Sequence, residues 1–529
     1  MKKNLIMTII LMSMLGITTL NVSLTVGTMT DSVNLDDYIL CSYLGGSRDD
    51  LIRDMAVDSD GNILVTGDTM SENFPVKNDA FQSTFAGGTQ DIHTVSGDAF
   101  ISKFSPTGDL IWSSYLGGSR NDGGMGIHVD SEDNIYVVGI TNSVDFPVTG
   151  LNNSHGGSDG FVTKFDPDGT LVFSMCIGTA GEENLEGSVM YSDILTVTGS
   201  TSMSTFPITN NAEQTIFGGA IDGTIVQLLT NGSLLYSSFF GGSGIDVIGE
   251  IYSSKDGHYI VNGYSDSVNL PFTENAYSTE ISGPGRDFFI ATFSNVMEIE
   301  YCTYFGGSAV DDCFGCTFDM KNNMIFSGRT WSTDFPTRNA WQSKYAGGEN
   351  EVNGVDAFVT KMNLNGEVVF SSYFGGPEWD TLHFVDTDEQ NNIFTCGDAP
   401  TNDFPVSTNA IQSETMGSSD VVLLALTPEG TPYFGTFFGG SQGDHVWNME
   451  LFANEVYIVG HTASNDFPTS NEAYQVTKNA SNDGFFLRFD HTKYMQDYPA
   501  EPITNSKTSI EMAVIFGAII LISFRKRKE

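Results

Sequence analysis

Basic residues are scarce in this chain. Lys and Arg number 23 against 66 Asp and Glu, a net charge of −43 over 529 residues. Part of that small basic share sits at the two ends, at Lys2, Lys3 and Arg525 to Lys528. An acidic surface repels phosphate backbones and anionic lipid, which excludes nucleic acid as a partner and suits an exported protein that meets cations or high salt. Amphipathic runs with a helical period are almost absent, which argues against a helical bundle. There is no P-loop and no dinucleotide fingerprint, so those chemistries are excluded. The eight histidines show no metal-ligand spacing.

What the chain has is apolar material and glycine. Hydrophobic residues make up 40% and aromatics 12%, with 57 glycines, enough for large cores and too apolar for disorder. Short runs of Val, Ile, Phe, Tyr and Thr alternate with Gly, Asn and Asp, which reads as mostly β. One phrase, YLGGS or a degenerate form of it, occurs seven times, with first glycines Gly45, Gly117, Gly178, Gly241, Gly306, Gly375 and Gly439. A second phrase, NILVTG in its first copy, also occurs seven times and is followed each time by a proline after Phe or Leu. A third, DAFISKF at residue 98, closes each unit.

Each unit of about 65 residues therefore carries four strand-like runs, DMAVD, NILVTGD, DAFISKF and DLIWSSYLGG in the first full copy. DSDGN and SPTG between them have tight-turn chemistry for hairpins. Four antiparallel strands repeated seven times predict an all-β, seven-bladed β-propeller. The last unit lacks its fourth strand, while YILCSYLGG at the start lacks a partner. The N-terminal strand is therefore expected to pair with residues 483–490, complete the last blade and close the ring.

The run DGNILVTGDTMSENFPV, the NAWQS-like phrase after it, and DAFISKFSPTGDLIWSSYLGGS together resemble the SBBP-type β-propeller repeat of prokaryotic surface and secreted proteins. The resemblance extends over residues 35–492. It implies a seven-bladed propeller at the cell surface; no single activity comes with the family. The C-terminal tail, apolar then basic after the polar TNSKTS, resembles prokaryotic sorting or anchoring tails, although no LPxTG is present.

Four residues past the second glycine of the phrase an acid recurs: Asp50, Asp122, Glu183 (counted from Thr179, where GTA replaces GGS), Asp246, Asp311, Asp380 and Asp444. In a propeller these acids fall on one rim. Either each caps its inter-blade turn by accepting backbone amides, or the ring binds a hard cation such as Ca2+. DSDGN (Asp58 to Asn62) and DPDG (Asp166 to Gly169) lack the twelfth-position glutamate of an EF-hand and read as hairpin turns. His383 and His445 follow ring acids of adjacent units, which would bring them near Asp380 and Asp444 at the pore mouth, with no orienting third residue identifiable.

Six cysteines are expected to stay free: Cys41, Cys176 and Cys302 fall on different blades, and the CFGC of Cys313 and Cys316 lies in extended chain. Phe81, Phe85, Trp341 and Tyr345 recur in the longest loops and are expected to pack on blade edges. Asn152, Asn231 and Asn479 stand in glycosylation sequons.

The ends complete the layout. Residues 1–30 read as a signal peptide, 35–492 as the propeller, 493–509 as a polar spacer, 510–524 as a transmembrane or sorting helix, and 525–529 as a basic cytoplasmic tail. The expected protein is exported and displayed at the cell surface, membrane-anchored with its C-terminus inside. Two functions fit it. The first is a binding or structural interaction module for an extracellular protein or glycan. The second is an extracellular lyase or hydrolase with a site in the central channel near the acidic ring.

Overall fold

The computed structural model describes residues 39–77, 80–89, 95–149, 157–283, 285–347, 354–497 and 503. Twenty-eight strands form seven antiparallel four-stranded sheets. In six of them the strands are consecutive in sequence and ordered from inside to outside, as the hairpin turns require. In the seventh, the N-terminal strand Ile39–Leu44 pairs with Asp483–Phe489, in register from Ile39 opposite Phe489 to Leu44 opposite Gly484. The Tyr43 hydroxyl donates to the Ser464 carbonyl at 2.9 Å and accepts the Phe467 amide at 3.1 Å, which locks the strand in place. The expected ring closure is present.

The core lies between blades rather than in one centre. Middle strands such as Ile63–Thr69 and Asp98–Phe104 are buried along their whole length, because both faces meet a neighbouring sheet. One apolar cluster joins Ile52, Val65 and Phe100 of blade 1 to Leu40, Val459 and Phe486 of blade 7. Each such side chain contributes about 1.5–3 kcal/mol on burial.

All seven inner strands change register near their middle, between Ile52 and Asp54 in blade 1 and between Gly124 and Gly126 in blade 2, for example. The bulge pushes the inner strand toward its neighbour, and the last residue of the second phrase must make room. A Cβ on Gly67 would lie 1.9 Å from the Leu51 carbonyl oxygen, and one on Gly139 2.0 Å from that of Gly123. The glycine that ends VTG and VVG is therefore required opposite the bulge, and the bulge re-aims the inner strand's side chains at the axis.

One expectation is corrected. Among the described residues no helix is long and apolar enough to cross a membrane, so the fold shown is the propeller without the C-terminal transmembrane helix. The one helix among them, His491–Asp497, is seven residues long. It is polar on its open side and packs Tyr494 against Phe434 and Phe489, with ring centroids 6.0 and 5.4 Å apart. The spacer expected from residue 493 thus begins within a helix docked on the ring. Further on, Ile503 donates to the Pro432 carbonyl and accepts the Trp341 indole N–H, each at 3.1 Å. The segments 1–30, 510–524 and 525–529 lie outside the described residues.

Candidate functional site at the channel mouth

The seven repeated acids stand at or just before the first residue of each inner strand, at one end of the ring. Their side chains are buried and turn back into the inter-blade turn. Asp50, Asp122, Asp246, Asp311, Asp380 and Asp444 each accept the amide of the phrase's second glycine, from Gly46 to Gly440, at 2.6–2.7 Å. Where Thr179 replaces that glycine, the longer Glu183 accepts both the Thr179 amide at 2.8 Å and its hydroxyl at 2.6 Å. Hydroxyls of the second strand complete the set: Thr69 and Ser71 bond Asp50, Thr141 and Ser143 bond Asp122, and Thr462 and Ser464 bond Asp444. Burial pushes Asp50 up to about 7 and Asp122, Asp311 and Asp444 up to about 6, and these bonds oppose the rise. Among the described residues, no three His, Cys, Asp or Glu side chains are grouped to hold a metal ion.

A second repeated set escaped the sequence reading as a structural device. The first residue of the third phrase, Asp98 in blade 1, is buried and accepts the amides of Ala86 at 2.7 Å and Gly87 at 3.2 Å. Asp356 does the same for Ala346 at 2.7 Å, so this acid anchors the long loop of its own blade. Its signal was its invariance across the units.

The other candidates have structural surroundings. Asp58 accepts the amides of Asp60 and Asn62 and pairs with Lys103 at 2.9 Å, while Asp166 accepts those of Asp168 and Thr170. All six cysteines are free. Phe81, Phe85, Trp341 and Tyr345 each pack on a blade aromatic, Trp341 stacking on Phe374 at 5.7 Å. Asn231 and Asn479 are exposed in loops, and Asn152 lies outside the described residues.

Along the axis three cavities follow one another, neighbours sharing wall residues. The widest, about 840 Å³, opens at the end where the inner strands begin. It is walled by Phe314, Phe384, Trp447, His383, His461 and Arg53, among others. The next, about 360 Å³, is lined by Asp54, Glu186, Glu250, Asp386 and Glu450. Enclosure by protein pushes these carboxyls up: Asp386 to about 6, Asp54 and Glu186 to about 7, Glu250 and Glu450 to about 8. Asp54 is also held by the amides of Met55 and Ile127, each at 2.7 Å, and by the Asn448 side chain.

At the mouth, His383 and His445 do come together, but on Asp398 rather than on Asp380 and Asp444. His445 Nδ1 is 3.1 Å and His383 Nε2 3.6 Å from Asp398 Oδ2. The reason is the bulge: ring acids bond backward into the turn, while Asp398, at the end of blade 6's second strand, lies beside the two inner strands. The Trp447 indole donates to His461 Nδ1 at 2.8 Å, so the His461 proton sits on Nε2, and burial pushes its pKa down to about 3. Arg53 lies over Trp447 at 4.8 Å, and Arg329 faces Phe314, Trp331 and Trp379 at 4.9–5.0 Å. Of this set Arg53, Phe314, His383, Trp447 and His461 line the cavity, with Arg53 ion-paired to Asp68 and Arg329 to Asp312. Apart from the two histidines, sequence reading missed it, because these positions differ from blade to blade.

Comparison with known proteins agrees with the repeat. Regulatory protein FlaEY of Caulobacter vibrioides is 25% identical over 328 residues, 59% of this chain and 32% of that protein. The chain thus aligns with about a third of that relative's length. Among solved structures it is similar to catalytically inactive virginiamycin B lyase from Staphylococcus aureus with quinupristin, at 9% identity over 85% of this chain and 99% of that one, TM-score 0.42. A gluconolactonase from Xanthomonas campestris is similar at 9% identity over 68% of this chain and 90% of that one, TM-score 0.30. A family model described as the SBBP beta-propeller repeat matches residues 42–75 and 111–147. The chain is thus a seven-bladed, all-β propeller in which the SBBP beta-propeller repeat is matched at two places in the N-terminal region.

Proposed function

We propose that the protein is an exported, surface-displayed propeller that binds a neutral glycan at the channel mouth. One observation carries the reading: a cavity of about 840 Å³ whose wall side chains differ from blade to blade within an otherwise repeated ring. Repeated residues serve the scaffold, and the irregular ones are free to serve a ligand. A concave site of this size fits a few sugar rings better than a protein, which needs a broad interface of about 1,200 Å² or more. Trp447 in the cavity wall offers a flat face for the C–H side of a sugar ring, and Trp331 and the 40% exposed Trp379 pack on Arg329, which also faces the wall residue Phe314. Arg53, His383 and Asp398 offer donors and acceptors to its hydroxyls. The net charge of −43 favours a neutral chain over an anionic one. The apolar N-terminal run behind Lys2 and Lys3 supports export.

The test is calorimetric titration of the purified chain with a panel of neutral and acidic polysaccharides. Binding to a neutral member, weakened at least tenfold by Trp447→Ala at unchanged melting temperature, is the expected result. No binding across the panel, or binding that ignores Trp447, would reject the reading.

A further inference from the structure

His445 belongs to blade 7 and Asp398 to blade 6, so their contact exists only because the blades pack. Asp398 is fixed on its other oxygen by the Val446 amide at 3.1 Å. It thereby holds the His445 Nδ1 proton and leaves Nε2 as a proton acceptor. The His445 side chain is 43% exposed, so a ligand at the mouth can reach it. His461, with its ring 5.1 Å from that of His445, is kept neutral by the Trp447 bond and by burial. Arg53 lies over Trp447, and Arg329 lies over Phe314, whose ring stacks on His383 at 5.1 Å. Arg53, ion-paired with Asp68, and Arg329, ion-paired with Asp312, therefore flank the histidines, where a guanidinium N–H can donate to an oxyanion.

We propose that the mouth is a catalytic centre for β-elimination on a neutral glycan whose sugar rings carry esterified carboxyl groups, with His445 as the base and Asp398 as its positioning residue. This rests on the glycan-binding reading and adds the substrate class and the bond broken. His445 Nε2 takes the proton α to the ester carbonyl, and the C–H electron pair forms an enolate beside the guanidiniums. That pair then makes the carbon–carbon double bond as the β carbon–oxygen bond breaks, and the leaving oxygen takes the proton from the imidazolium. Atoms and charge balance with no water and no redox partner consumed. An esterified carboxyl is preferred over a free one for two reasons: its α proton is more acidic, and a neutral chain is not repelled by the acidic body.

The test uses the full chain with methyl-esterified polygalacturonate and the same polymer after de-esterification. Binding is followed by calorimetry, and product by the ultraviolet absorbance of the conjugated ester. The expected result is absorbance growing with the esterified polymer alone. His445→Gln should lower the rate at least ~100-fold with unchanged affinity. Asp398→Asn should lower the rate and move the acid limb of the pH–rate profile to lower pH. The groups facing His445 are Asp398, Asp444, His383 and His461, and Asp398 is the one that most favours the imidazolium. Binding of the esterified polymer without product, or full activity in His445→Gln, would overturn this inference and leave the binding reading standing. Failure to bind any neutral polymer would overturn the reading beneath it.

Discussion

The Asp50 carboxylate accepts the Gly46 amide at 2.6 Å from four residues further along the chain, and the same bond is made at 2.7 Å between Asp122 and Gly118. It ends an outer strand and starts the next blade's inner strand. Asp122→Ala strips the partner from that amide and from the Thr141 and Ser143 hydroxyls, all buried. The expected loss is about 2–4 kcal/mol, read from denaturant unfolding, with Asp122→Asn costing less because it keeps an acceptor. Since one oxygen of each ring aspartate already accepts the turn's glycine amide, millimolar calcium is expected to leave the melting temperature unchanged. A calcium-dependent rise abolished by Asp→Asn changes would reassign the ring.

Acidification is expected to stabilise the fold between about pH 8 and pH 4. Burial holds Asp50 and Asp54 near 7 and Glu250 and Glu450 near 8 in the folded state, against ordinary values of 3.8 and 4.5. The folded chain thus binds more protons than the unfolded one across this window, and stability is lost as pH rises through the folded values. Asp58 and Asp319 are held below the usual range, where lysine and asparagine bonds outweigh burial, so their contribution fades only under more acidic conditions. Calorimetric melting should give a higher temperature at pH 5 than at pH 8; the reverse order would refute the account.

Lys361 pairs with Asp319 at 2.8 Å, and both side chains are almost wholly buried. Lys103 with Asp58 and Lys164 with Asp130 repeat the pairing between the third phrase and the first hairpin turn. Lys361→Met should cost about 3–5 kcal/mol, because it strands a buried carboxylate. Adding Asp319→Asn should recover most of that loss, which a double-mutant cycle measures.

Ring closure rests on the strand Ile39–Leu44. Leu40→Pro removes a donor opposite Arg488 and exposes the edge of the last blade. The variant is expected to melt several degrees lower and to aggregate, as seen by light scattering. Gly139→Ala is a second probe of the backbone: its methyl meets the Gly123 carbonyl, so a loss of at least about 2 kcal/mol is expected.

The repeated features were legible because their causes are local. The DSDGN turn needs only its own Asp58 and Gly61, and the phrase's second glycine and the acid after it bond four residues apart, so each appears intact in one stretch of sequence. The orphan strands at the two ends fixed the closure in the same way. The reading of His383 and His445 failed in one respect: it sought their partner among neighbours in sequence, whereas Asp398 reaches His445 from 47 residues away.

By itself the sequence determined the blade count, the hairpins, the closure and the acid in every inter-blade turn, because each follows from strand period and turn chemistry within one unit. Only the tertiary structure decided what stands around the axis. Arg53 is separated from His383, Trp447 and His461 by most of the chain, and the four share no motif. They become neighbours because seven inner strands, each bulged at the same place, converge on one channel and point their unlike residues into it.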